Sequence, residues 1–153
     1  MRVFRVLAIL ALVVFVMPQE AASHCEIPCG IYGDDGRFAS ILEDITTIEK
    51  SMNMINELSS DPGKNANQLA RWVLNKETHA DRIREVAAQY FLAQRIKEPA
   101  GGDAAEEKAY HAKLASLHQM IRTAMKCKQT TEVAYTKKLQ DLTHSFIALY
   151  AAK

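Results

Sequence analysis

The chain has little of what would build anything other than a packed core. Six glycines and four prolines in 153 residues exclude a collagen-like or low-complexity disordered chain. Three cysteines are too few for a disulfide framework to replace a hydrophobic interior. Charge of one sign is also lacking, because 19 Lys and Arg stand against 18 Asp and Glu, a formal +1. Without clustered cations there is no electrostatic drive toward nucleic acid or an anionic membrane surface. No acidic or basic tail, internal repeat or low-complexity segment occurs. What remains, 48% apolar and 24% charged residues, suits one ordinary globular domain.

Long hydrophobic runs are scarce as well, and the longest sits near the start. Arg2 and Arg5 precede apolar residues 6–17, followed by Pro18-Gln19-Glu20 and Ala21-Ala22-Ser23. As a helix this run reaches about 18 Å, against roughly 30 Å of bilayer hydrocarbon. A secretory signal peptide is therefore expected over residues 1–23, with an uncleaved anchor as the alternative. Small residues at Ala21 and Ser23 place the cut between Ser23 and His24, which makes signal peptidase the expected maturation partner. The mature domain is then 24–153, with a charge near zero, no membrane attachment, and an exported location: periplasmic, extracellular or organelle-lumenal.

Downstream the pattern is helical. Phe38, Ile41, Ile45, Ile48, Met52 and Ile55 alternate spacings of three and four, predicting an amphipathic helix over 37–58 that Ser59-Ser60-Asp61-Pro62-Gly63 ends. A second helix is expected to bury Leu69, Trp72, Val73, Ile83, Val86, Tyr90 and Phe91 and to close at Glu98-Pro99-Ala100-Gly101-Gly102. Asp103 with Glu106 resembles a capping box opening a third helix, whose stripe is Tyr110, Leu114, Leu117, Ile121 and Ala124. Tyr135, Leu139, Leu142, Phe146 and Leu149 define a fourth. No Gly or Pro separates the last two, so one long bent helix is an alternative to a break near Thr130 and Thr131. The expected fold is all-α: an antiparallel four-helix bundle over about 37–152, preceded by a short N-terminal segment.

A bundle by itself specifies no function. Di-iron carboxylate bundles use Glu-x-x-His on two helices, and no Glu-x-x-His occurs here. Glu107, His111 and His118 share a helix face without sharper metal spacing, and these histidines, with His79 and His144, are expected to be exposed or hydrogen-bonded. Cys127 reads as a small buried apolar residue, with an intermolecular disulfide or a stray metal ligand as alternatives.

Chemistry is concentrated in His24-Cys25-Glu26-Ile27-Pro28-Cys29-Gly30-Ile31-Tyr32. Two thiols four positions apart can close on one ion if Pro28 and Gly30 let the backbone turn. Cleavage before His24 would add a free amine, whose reference pKa near 8 allows it to bind metal. The Cys25 amide can supply a second nitrogen, and the His24 imidazole can reach an axial position. Such an N and S set favours nickel or copper over hard cations, and thiolate donation makes the higher oxidation state accessible. On spacing alone, a small Cys25–Cys29 disulfide loop remains open.

His-Cys-x-x-Pro-Cys-Gly-x-Tyr directly after a cleavage site closely resembles the nickel hook of nickel-containing superoxide dismutases. The resemblance spans 24–153 and is most specific over 24–32. It implies one nickel ion per chain, held by the His24 amine and imidazole, the Cys25 amide nitrogen and sulfur, and the Cys29 sulfur. It implies that the imidazole binds in the Ni(III) state and leaves in Ni(II), and that the Ile27-Pro28 bond is cis. Tyr32 matches the tyrosine beside the open face, which orders water and admits small anions, so His24, Cys25, Cys29 and Tyr32 are the expected catalytic residues. Glu26 matches an acidic hook residue. The implied reaction is disproportionation of superoxide to dioxygen and hydrogen peroxide, and the implied assembly is a homohexamer that shields the hook.

The chain departs from the pattern in places. A family glutamate that holds the axial histidine falls on Ser40, with Glu43 one turn later, and a supporting arginine falls near His79. Tyr90 in Gln89-Tyr90-Phe91 resembles a second family tyrosine near the site. Two other classes fit the residues: a secreted binding module with a terminal disulfide, and a nickel or copper carrier.

Overall fold

The computed structural model describes residues 33–151. Helix α1 is Asp35–Leu58 and α2 is Pro62–Glu85, running directly into a π-helical segment, Val86–Arg95. Helices α3, Ala104–Gln129, and α4, Ala134–Ala151, complete the chain. The described residues contain no strand. α1 packs on α2 and α4, α3 packs on α2 and α4, and the π segment lies against α3. That closed ring of neighbours, joined by short connections, is the expected four-helix bundle.

Each break has a local cause. Asp61 accepts from Lys64 N at 3.2 Å and Pro62 occupies the first turn of α2, where a missing N–H costs nothing. Gly101 and Gly102, with φ of 94° and 102°, turn the chain into α3. Asp103 caps that helix, accepting from Ala105 N at 2.7 Å, while Glu106 remains exposed.

The stripe of α1 is buried at all six expected positions. α2 differs from expectation. Val73 is 42% exposed, and Leu69 and Trp72 are only half-buried. The expected Ile83, Tyr90 and Phe91 are buried, Val86 is half-buried, and Lys76, Ala80 and Ala87 are buried beside them. Lys76 holds the inward place because it does a backbone's work. Its Nζ donates to the carbonyls of Cys127 at 2.8 Å, Lys128, and Thr130 at 3.4 Å, and pairs with Glu77 at 3.2 Å. These carbonyls lie at and just past the C-terminus of α3, where the last turn has no intrahelical donors and the dipole favours a cation. α3 therefore stops at Gln129 without Gly or Pro, and the long bent helix is excluded.

In α3 the expected Leu117 and Ala124 are buried, together with Met120 and Cys127, while Tyr110, Leu114 and Ile121 are half-buried. Cys127 is a free, fully buried thiol. Burial pushes its pKa up to about 11, so at neutral pH it is protonated and a poor ligand or nucleophile.

One end of the bundle is aromatic. Phe38 stacks on Phe91 at 4.8 Å, and Phe146 meets Phe91 edge-on at 5.1 Å. Tyr150 lies 5.6 Å from both Phe38 and Phe91. Pairs at these separations add to the stabilisation from area burial alone. This is the end at which α1 begins.

Candidate metal centre and its root on the bundle

The expected ligands His24, Cys25 and Cys29, together with Tyr32, lie outside the described residues, as does the signal peptide expected over residues 1–23. What the structure describes is the point at which that segment joins the bundle. Gly33 has φ +82°, and a Cβ built there meets nothing within 4 Å. Its requirement for glycine is thus conformational rather than steric.

Asp34 follows and gives both carboxylate oxygens to the bundle. Tyr90 Oη donates to Oδ1 at 2.5 Å, while Tyr150 Oη and Arg95 Nη2 donate to Oδ2 at 2.5 and 2.8 Å. Arg95 Nε also donates to Tyr150 Oη at 3.2 Å, and the Arg37 guanidinium lies 5.0 Å from the Tyr90 ring centroid. Burial raises the Asp34 carboxyl, but the bonds from Arg95, Tyr150 and Tyr90 outweigh it and hold its pKa below the usual 3.8. Burial and then the Asp34 carboxylate raise both tyrosine hydroxyls above their usual 10.0. The cluster is therefore ionic at neutral pH: one carboxylate, one guanidinium and two neutral phenols.

The position that resembles the family glutamate is not a carboxylate. Ser40 is half-buried and Glu43 is exposed. The buried acid on this face is the next residue, Asp44, whose Oδ1 lies 2.5 Å from His79 Nδ1 and 3.9 Å from Arg82 Nη1. Its Oδ2 has no hydrogen-bond partner. His79 is thus engaged across two helices, whereas His111, 3.7 Å from Glu107, and His118 and His144 are exposed. Among the described residues, no three His, Cys, Asp or Glu side chains gather to hold a metal.

Sequence reasoning singled out Tyr90 but missed Asp34, Arg95 and Tyr150. Their convergence is tertiary, and the i to i+5 relation between Tyr90 and Arg95 has no place in an α-helical pattern.

A family model described as nickel-containing superoxide dismutase matches residues 19–153. No curated protein and no solved structure matches the chain.

Proposed function

The chain belongs to the nickel-containing superoxide dismutase family, oxidoreductases that act on superoxide with a nickel cofactor, and on that premise we propose that its nickel site is the hook His24–Tyr32. The observation that carries this reading is the coincidence of His24, Cys25, Pro28, Cys29, Gly30 and Tyr32 in one stretch immediately ahead of a helical bundle.

The donor set fits the ion. Two thiolates from Cys25 and Cys29, the Cys25 amide nitrogen and the His24 amine form a soft, strong-field set suited to nickel. When bound, nickel supplies a one-electron Ni(III)/Ni(II) couple, by which one superoxide is oxidised to dioxygen and the next is reduced, with two protons, to hydrogen peroxide. The protein's residues prepare and guard that chemistry. The His24 amine must be free of a peptide bond and deprotonated to donate, so it is exposed by cleavage after Ser23 and favoured by neutral to alkaline pH. The Cys25 and Cys29 sulfurs must be thiolates, which raises electron density at the site. The His24 imidazole would supply a further nitrogen donor to the oxidised ion. Tyr32 would order water near the bound ion and limit entry to small anions such as superoxide.

Export follows from the 1–23 signal peptide, with signal peptidase uncovering the ligand amine. The mature protein then works in a periplasmic, extracellular or lumenal space. Assembly as a homohexamer would shield thiolates that otherwise climb the sulfur oxidation ladder in the presence of peroxide.

The deciding experiment is intact mass, N-terminal sequencing and metal content on one sample purified from its source. A chain starting at His24 with about one nickel per chain supports the hook, whereas any other first residue removes the amine ligand. In parallel, Cys25→Ser and Cys29→Ser should each lose nickel and superoxide turnover while far-UV circular dichroism stays helical. Retained nickel in either variant defeats the assignment.

A further inference from the structure

Asp34 stands two residues after Tyr32, and its side chain is 11% exposed. It begins α1 but makes no side-chain bond to that helix's N–H groups. All its donors come from elsewhere: Tyr90 and Arg95 from the π segment and Tyr150 from α4. The carboxylate is therefore used to tie the start of α1 to two other elements rather than to cap it.

The π segment is what allows this. Tyr90 and Arg95 are five residues apart, and a ladder of i to i+5 bonds, such as Ile96 N to Phe91 O at 2.9 Å, stacks residues at that spacing over one another. An α-helix would carry Arg95 away from Asp34. Below the clamp, Phe38, Phe91 and Phe146 are buried in mutual contact and fix its floor.

From this geometry we infer that Asp34 is a positioning residue for the nickel site, acting through a clamp formed with Tyr90, Arg95 and Tyr150. The inference rests on the placement of nickel in residues 24–29. A chelate built in residues 24–29 is joined to the bundle through the chain that enters α1, and among the described residues Asp34 is the first on that path whose side chain is tied to other elements. Gly33, between it and Tyr32, sets the direction in which the chain leaves. Loosening the root gives orientational freedom back to every ligand, and metal retention falls even though no ligand has changed. Partners outside the coordination shell commonly tune metal affinity by about 10–100-fold in this way.

The test uses the full mature protein loaded with nickel, in the variants Asp34→Asn, Tyr150→Phe, the double variant of these two, Cys29→Ser and Ile48→Val. Two quantities are read: nickel release to a competing chelator, and the electron paramagnetic resonance spectrum of the oxidised site. Asp34→Asn should release nickel about tenfold faster and shift or broaden the spectrum. Tyr150→Phe should do the same more weakly, and the double variant should be little worse than Asp34→Asn, because both changes cut the same bond. Ile48→Val, in the middle of α1, should lower Tm and leave both quantities unchanged. Wild-type release and spectrum in Asp34→Asn would overturn the inference. If Asp34→Asn does not fold, Tyr150→Phe decides by the same criterion. Retained nickel in Cys29→Ser would instead defeat the hook assignment. Lost nickel there, beside an unaltered Asp34→Asn, would defeat only the clamp.

Discussion

Lys76→Met tests whether one side chain ends α3. The thioether conserves most of the stem's volume and removes the ammonium from its three carbonyls. The Cys127 carbonyl is buried with that bond, and leaving a buried acceptor unpaired costs about 1–3 kcal/mol. The Lys128 and Thr130 carbonyls are partly buried and can turn to water, so they add less. The lost attraction to the helix terminus adds about 0.3–1 kcal/mol. Against this, the variant no longer buries an ammonium in a site where Lys76 is only 4% exposed, which returns part of the loss. The net expectation is a destabilisation of about 2 kcal/mol, or a fall in Tm of about 4–8 °C for a domain of this size. Urea unfolding of nickel-free protein, followed by far-UV circular dichroism at fixed protein concentration, measures it. The midpoint should fall with an unchanged m-value. A loss below about 0.5 kcal/mol, the range of an ordinary surface change, would refute the claim that this amine supplies the missing cap.

Other outcomes follow from the same contacts. Because the folded Asp34 carboxyl ionises below 3.8, its contribution is complete above that value and disappears as pH falls through the lower folded pKa. Acid titration of nickel-free wild type should therefore show a loss of stability below about pH 4 that is absent in Asp34→Asn. The raised Tyr90 and Tyr150 hydroxyls work in the opposite sense: their contribution is complete below 10.0 and is lost as pH climbs past it, so Tyr150→Phe should flatten the alkaline limb. Gly33→Ala places a Cβ at φ +82° in open space and should cost about 1–2 kcal/mol from conformation alone; an unchanged unfolding midpoint would show that this backbone is not held. Phe146→Ala, at a fully buried site in the aromatic end, should cost about 3–5 kcal/mol in calorimetry, and a loss below 1 would mean the end repacks.

Much of the fold was legible because the rule that builds it is local. The α1 stripe reads directly as spacings of three and four, and Asp61-Pro62 and Gly101-Gly102-Asp103 announce their helices in the usual residues. One buried position of α2 could not be read from the pattern. Lys76 counts as polar in any hydrophobic pattern, yet it is buried because its partners are carbonyls 51, 52 and 54 residues away. The same contact hid the α3 terminus, since the cap is lent by another helix. The proposed ligands His24, Cys25 and Cys29 rest on the sequence alone, where they stand within one short stretch outside the described residues. Asp34 could not be read in that way, because its meaning depends on residues 56, 61 and 116 positions downstream.

The widened coil at Val86–Arg95 also makes this stretch sensitive to length in a way its exposed side chains do not suggest. Deleting one residue between Tyr90 and Arg95 would let the ladder tighten to ordinary α spacing and bring the two to about 40° past a full turn, so both would still face the acid. Deleting one ahead of Tyr90 would keep their separation, about 140° past a full turn in an α-helix, and swing the guanidinium off its acid. The place of a lost residue, and not its loss alone, therefore decides whether the first helix keeps its fastening.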